Sequence, residues 1–168
     1  MMAQAHPKLA LRPFVPADAS LLREIFRASI EELTGDDYSE AQQQAWASAA
    51  DDEAAFGKDL GSQLTLVATL AGSPVGFASL ASGNKIEMLY VHPAAAGQGA
   101  GTMLCDALEK LAAARGAKEV AVEASDTASG FFEKRGYIAK SRNTVLRAGE
   151  WLANTTMTKS LVAKGNAP

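Results

Sequence analysis

Three alternating glycines, Gly97, Gly99 and Gly101, separate a β-like run ending at Val91-His92-Pro93 from an amphipathic stretch that begins near Ala100. Glycines at a helix start leave N–H groups with no intrahelical partner, beside the positive end of the helix dipole. That combination is a site for a phosphate or pyrophosphate. The dinucleotide fingerprint G-x-G-x-x-G needs a different spacing and an acidic residue at the ribose position, and neither is present. The P-loop needs a lysine and a hydroxyl residue after its last glycine, whereas Thr102 and Met103 follow Gly101 here. A connector without a ligand is the competing reading. Three alternating glycines at a helix start, after a strand and Pro93, argue against it.

Two carboxylates lie on strand-like segments near this loop. Glu87 is flanked by Ile86 and Met88. A carboxylate among apolar neighbours has a raised pKa, which suits a general base. The competing reading is a strand-face glutamate in solvent or paired with Lys85. Glu123 is the second candidate, as a base or as a partner for a cationic amine. A structural hydrogen bond across strands is its bland alternative.

The elements that must position these groups follow from pattern and punctuation. Leu9 to Arg12 reads as a short strand stopped by Pro13, and Asp18 as the N-cap of a helix over Ala19 to Leu33. Leu22, Ile25, Phe26, Ile30 and Leu33 recur at helical spacing. Ser39-Glu40-Ala41-Gln42 is a capping box for a second helix to about Ala49, and a third covers Asp52 to Leu60. Leu64 to Leu70, Val75 to Leu80 and Ile86 to Val91 read as strands joined by short turns, an antiparallel meander. After the glycine loop, Ala100 to Arg115 is a helix with Leu104, Leu108 and Leu111 as its stripe. Glu119 to Ala124 is a strand that pairs in parallel through the helical crossover. Ser125 or Asp126 caps a short helix over Thr127 to Arg135, and two strands, Tyr137 to Arg147 and Leu152 to Lys159, complete the order. Alternation is incomplete, so the pattern is a mixed sheet of the α/β (α+β) class with helices on its faces, not a doubly wound one. Residues 8–162 form a single domain between flexible tails, residues 1–7 and 163–168.

Composition bounds the partners. The chain has 168 residues, 48% hydrophobic and 21% charged, with a formal net charge of −3. No basic excess points to nucleic acid or an anionic membrane. A single cysteine, Cys105, excludes an internal disulfide, and it reads as a small, partly buried helix residue rather than a nucleophile. No apolar run approaches a membrane span and no signal peptide is evident, so the expected location is the cytoplasm. No metal site is expected.

The segment Met88-Leu89-Tyr90-Val91-His92-Pro93, followed by Gly97-Gln98-Gly99-Ala100-Gly101-Thr102-Met103-Leu104, resembles the coenzyme-A-binding motif of the GNAT superfamily of N-acetyltransferases. Phe131-Phe132-Glu133-Lys134-Arg135-Gly136-Tyr137 resembles that superfamily's closing signature, and the element order matches from Leu9 to about Leu161. Tyr38-Ser39, Gln42, Ala45-Trp46, Val122-Glu123-Ala124-Ser125 and Leu152-Ala153-Asn154 further resemble a bacterial branch, the YafP-like proteins. The resemblance implies a mostly antiparallel, splayed mixed sheet with helices on both faces. It implies a bulged strand before the loop, with main-chain groups of Leu89, Tyr90 and Val91 binding the pantetheine arm. It implies that N–H groups of Gly97, Gln98, Gly99, Ala100, Gly101 and Thr102 hold the pyrophosphate, and that Ser129 and Phe132 lie near the acetyl end.

Three positions depart from the family pattern. Ala96 stands where Gln or Arg is usual, so the grip on the pyrophosphate is mostly backbone. Phe132 stands where a tyrosine often protonates the leaving thiolate, and phenylalanine has no proton to donate. Ser125 stands where asparagine is common. The resemblance implies acyl transfer from acetyl-CoA to a primary amine of a small molecule or peptide. The attacking amine must be neutral and the oxyanion needs an N–H donor; Glu87 and Glu123 are the candidate catalytic groups. Tyr38 and Trp46 lie where the superfamily places its acceptor-binding helices. Burial statistics favour a core role for Trp46, and Tyr38 is divided between core and pocket. Asn154 hydrogen-bonds the acceptor or the sheet. His92, before Pro93, reads as structural. The expected partners are acetyl-CoA and an amine, with the chain a monomer or homodimer. The contrasting expectation, motivated by Phe132, is a protein that binds coenzyme A without transferring anything, a sensor or degenerate paralogue.

Overall fold

Local side-chain chemistry sets most element boundaries in the computed structural model, which describes residues 8–162. The expectations for residues 1–7 and 163–168 lie outside the described residues. The Ser39–Gln42 capping box forms as expected, with Ser39 Oγ accepting from the Gln42 N–H at 3.1 Å and Gln42 Oε1 accepting from the Ser39 N–H at 2.9 Å. Asp52 caps the third helix through the Ala55 N–H. Asp18 differs from expectation. Its carboxylate accepts two bonds from Arg12, at 2.8 and 2.7 Å, and one from the Val15 N–H. It makes no side-chain cap to the first helix. A bidentate guanidinium pair outcompetes a single N–H for a carboxylate.

The helices are α1 (Ala19–Leu33), α2 (Glu40–Ala47), α3 (Glu53–Ser62), α4 (Ala100–Ala114) and α5 (Ser129–Lys134). The strands are β1 (Leu9–Pro13), β2 (Leu64–Leu70), β3 (Ser73–Ala81), β4 (Lys85–Val91), β5 (Glu119–Ser125), β6 (Ile138–Arg147) and β7 (Glu150–Ser160). They form one seven-stranded sheet in the order β1-β2-β3-β4-β5-β7-β6. Every pairing is antiparallel except β4 with β5. The expected mixed, mostly antiparallel sheet is present.

Each face carries its own core. On one face, α4 sets Leu104, Cys105, Leu108 and Ala112 against Ala78, Leu80, Ile86 and Val120. On the other, α1 and α3 set Leu22, Phe26, Ile30, Phe56 and Leu60 against Val67 and Phe77. Burying one such aliphatic or aromatic side chain stabilises the fold by roughly 1.5–3 kcal/mol.

Two irregularities shape the centre of the sheet. Ser79 pairs with Met88 and Leu80 with Ile86, so Glu87 is an extra residue, a bulge in β4. A bulge reverses which face later side chains take. Ile86, Leu89 and Val91 pack on the α4 side, whereas Met88 and Tyr90 pack on the α1 side. In addition, β4 and β5 pair only at Lys85 with Ala121 and Ile86 with Val122. Beyond those two pairs the strands diverge.

Candidate functional site

A cavity of about 800 Å³ lies where β4 and β5 part. Its walls come from β4 (Ile86 to Val91), β5 (Val122 to Ser125), the glycine loop, the start of α4, α5, the α1–α2 region and the β6–β7 hairpin. That size and its mixed lining suit a small-molecule site.

At one end the wall is main chain. Gly97 and Gly99 have φ of +76° and +93°, and a Cβ at either would meet open space. Positive φ, not crowding, therefore demands glycine there. Gly101 has ordinary φ, and a Cβ on it would sit 3.6 Å from the Phe131 ring. The first amide to bond back along the chain is that of Met103, to Gly99 O at 3.0 Å. The amides of Gly97 through Thr102 have no backbone acceptor among the described residues. These are the orphan donors of a helix N-terminus, and they suit an anion. Gln98, unlike its neighbours in the loop, is not part of the cavity wall.

At the bulge the wall is charged. Lys85 Nζ lies 3.7 Å from Glu87 and 3.4 Å from Glu123, bridging both carboxylates. The expectation that Glu87 sits among apolar neighbours is corrected. The bulge sends Ile86 and Met88 to opposite cores, leaving the Glu87 side chain 39% exposed beside a cation. The pairing with Lys85 is the competing reading realised. Glu123 shares that cation and is 45% exposed.

At the other end the wall is aromatic. The Tyr38 hydroxyl donates to Ala153 O at 2.6 Å and accepts from the Asp126 N–H at 2.9 Å. It thereby ties the α1–α2 loop to β7 and to the loop after β5. Thr127 Oγ1 to Asp37 and Gln42 Nε2 to the Trp151 carbonyl, both 2.8 Å, add to that strap. Trp46 packs half-buried against the α1-side core and also lines the cavity, and its Nε1–H donates to the Tyr90 hydroxyl at 3.1 Å. Burial pushes the Tyr90 phenol up to about 12. The backbone of Leu89, Tyr90 and Val91 borders the cavity, while the Tyr90 ring stacks edge-on against Phe26 at 4.6 Å. Asn154 lines the wall and accepts from Asn143 Nδ2 at 3.0 Å, so the sheet uses its side chain.

Other residues fall as follows. Phe132 is 2% exposed, held edge-on between Phe131 and Tyr137, and it touches the cavity. Ser129 does not line the cavity; its hydroxyl donates to Asp126 O at 3.3 Å. Ser125 Oγ accepts from the Ala128 N–H, as a cap for the turn into α5. His92 Nδ1 accepts from the Ala94 N–H at 3.0 Å, the structural role expected of it. Cys105 is fully buried and its thiol is pushed up to about 12 by burial, so it is no nucleophile. Among the described residues no group of three or more His, Cys, Asp or Glu is placed to hold a metal ion.

Sequence reasoning did not assign Arg147, Val145 or Leu152 to the site. All three line the cavity from the β6–β7 hairpin. Their only signal was membership of the last hairpin, because the contact that brings them here is long-range.

A family model described as an acetyltransferase (GNAT) domain matches residues 34–161. The chain belongs to the GNAT acetyltransferase family. It is 31% identical over 149 residues to the uncharacterized N-acetyltransferase YafP of Escherichia coli, covering 89% of this chain and 94% of that one. The crystal structure of a GCN5-related N-acetyltransferase from Rhodopseudomonas palustris superposes with a TM-score of 0.90 and 64% identity. That match covers 95% of this chain and 99% of the other. PaiA N-acetyltransferase from Thermoplasma acidophilum, solved with coenzyme A, shares the fold at TM-score 0.75 and 18% identity, covering 91% and 99% of the two chains. The acetyltransferase assignment from the two sequence motifs is thereby upheld. No described helix of this GNAT enzyme is long and apolar enough to cross a membrane.

Proposed function

We propose that this acetyltransferase moves an acetyl group from acetyl-CoA to a primary amine of a small molecule or peptide by direct attack, in the cytoplasm, as a monomer or homodimer. The observation that carries the reading is the Glu87 bulge at the divergence of β4 and β5, with unpartnered loop amides close by. The open space at Gly97 and Gly99 suits a pyrophosphate drawn onto backbone N–H groups. Main-chain groups of Leu89, Tyr90 and Val91 hold the pantetheine arm, and an N–H at the bulge faces the developing oxyanion. PaiA's complex with coenzyme A supports the same donor.

The nitrogen lone pair attacks the thioester carbonyl, the C–N bond forms, and the C–S bond breaks. Glu87, directly or through water, takes the proton the amine must lose. Glu123 holds the incoming cationic amine, which competes with Lys85 for the same carboxylate oxygens. The departing thiolate takes its proton from water, since Phe132 has none to give.

Thiol release over a panel of amines tests this. Glu87→Gln lowers kcat by about 100- to 10,000-fold, the usual worth of a general base, with the KM for acetyl-CoA unchanged. An unchanged kcat removes Glu87 from the mechanism. The second reading, a coenzyme A sensor, is favoured by Phe132. Tight acetyl-CoA binding with no thiol release above hydrolysis on any amine selects it.

A further inference from the structure

Two cations line the cavity, and they differ in one respect. Lys85 is neutralised by Glu87 and Glu123. Arg147, exposed at the end of β6 and paired there with Glu150 through the sheet, has no side-chain hydrogen bond or ion pair among the described residues. Four other guanidinium groups pair with carboxylates, Arg12 with Asp18, Arg27 with Asp51, Arg135 with Asp106 and Glu109, and Arg142 with Asp126, and Arg23 donates to the Ala50 and Asp51 carbonyls; Arg115 is also unpaired but does not line the cavity. Arg142 is the informative contrast, since it stands on the same strand and its charge is spent on a carboxylate.

The position of Arg147 separates it from the pyrophosphate loop. It pairs with Glu150 at the end of the hairpin, beside Trp151, whose carbonyl accepts from Gln42 of α2, and α2 packs on the α1 side of the sheet. The glycine loop feeds α4, on the opposite face. Trp46, Tyr90, Val145 and Leu152 give the same cavity apolar walls. The cavity wall therefore combines two carboxylates, apolar side chains and an unspent planar donor fork. A guanidinium recognises a carboxylate or phosphate bidentately, whereas it repels a second cation.

Resting on the acetyltransferase reading above, we propose that the acceptor is a small amine that also carries an oxyanion, and that Arg147 is the residue that binds that oxyanion. An α-amino acid with an apolar side chain carries all three matching groups: an amine, an apolar group and an oxyanion. Polyamines and other multiply cationic amines are disfavoured, because their second charge meets Arg147. The Tyr38 strap narrows the same end, which favours a short acceptor over an extended peptide.

The test pairs each acid with its neutral counterpart. Leucine and phenylalanine are compared with leucinamide and phenylalaninamide, and phosphoethanolamine with ethanolamine, in thiol release and in titration of the coenzyme A-loaded protein. The wild type favours the anionic member of at least one pair. Arg147→Ala lowers kcat/KM and affinity for that member by about 10- to 100-fold, the worth of a charge-assisted hydrogen bond. It leaves the neutral member unchanged, and thermal stabilisation by acetyl-CoA is retained. Arg147→Lys restores part of the loss. The carboxylate and phosphate arms identify the source of the oxyanion. Equal use or equal binding of both members by the wild type, or an equal loss on both in Arg147→Ala, overturns the proposal. If no amine turns over but the anionic member still binds through Arg147, the anion site stands and the transferase reading fails.

Discussion

Around Gly97 to Thr102 the cavity wall is backbone, whereas around Tyr38, Trp46, Tyr90 and Arg147 it is side chain. The two ends are built by different means. The first is local: a strand, two residues at positive φ and a helix start lie within a short stretch of chain. The second is assembled from segments as distant as Tyr38 and Ala153, joined by one hydroxyl. A backbone cradle tolerates side-chain change at its exposed positions, as Ala96 illustrates. A side-chain wall does not, so the second end is where members of one family can diverge in what they accept.

Substitutions at four positions sharpen or break this contrast. The largest effect is expected behind the glycine-loop end, where Glu109 anchors α4 to α5 and β7. Its carboxylate accepts from Lys159 at 2.7 Å, Arg135 at 2.9 Å and the Tyr137 hydroxyl at 2.9 Å. Glu109→Ala leaves Lys159 without a carboxylate partner and Arg135 with Asp106 alone, and costs about 3 kcal/mol in denaturant unfolding, the lower end for a broken buried pair. Desolvation pushes the Glu109 carboxyl up, but hydrogen bonds from Lys159, Arg135 and Tyr137 outweigh it and hold the group below its ordinary value. A depressed folded pKa means that this stabilisation is present above the unfolded value, near 4.5, and is lost as pH falls through the folded one. Acid unfolding of Glu109→Gln should lack that component. A wild-type-like acid profile for this variant would remove Glu109 from the anchor.

Next is Gly99→Val. A β-branched residue at φ +93° carries a backbone cost of about 1–2 kcal/mol. The loop relaxes away from that angle and its amides disperse. The KM for acetyl-CoA rises by about tenfold or more, while acceptor selectivity is untouched. A selectivity change would show that the two ends are not independent.

Tyr38→Phe leaves the Ala153 carbonyl and the Asp126 N–H without their partner, worth about 1–3 kcal/mol. Calorimetry should show the loss, and the acceptor KM should rise with acetyl-CoA binding unchanged. The smallest effect is that of Trp46→Phe, which removes one part-buried donor to Tyr90 and costs about 0.5–1.5 kcal/mol. Its signature is a fall in the Tyr90 contribution to ultraviolet pH titration, with near-normal coenzyme A binding.

The same contrast explains what was legible in the sequence. The meander, α4 and its glycine loop, the Ser39 capping box and the parallel crossover are written in neighbouring residues, and each forms within a residue or two of expectation. The Glu87 bulge is a matter of register between β3 and β4, and the bare sequence read its environment wrongly. Flanking apolar residues suggested burial, but the bulge turned them to opposite faces. Asp18 looked like a cap because of its place before α1, and a cation six residues upstream claimed it instead. Lys85 bridging two carboxylates, Trp46 donating to Tyr90, and Arg147 reaching the cavity are long-range contacts with no local signature.

The two-residue pairing of β4 with β5 has a mechanical consequence. The strands β1 to β4 with α1, and the strands β5 to β7, are two half-sheets joined by that short pairing and, on the α4 face, by one core that packs against both. So short a pairing transmits little cooperativity on its own, and the Tyr38 strap is the main cross-tie on the aromatic side. Any molecule that hydrogen-bonds both β4 and β5 stitches the halves into one unit. Amide exchange at Leu89 to Val91 and at Ala124 should then slow together on adding coenzyme A, and thermal unfolding should sharpen as well as shift. Occupancy of the cleft would thus add, on the open side of the sheet, to the coupling that the α4 core supplies on the other.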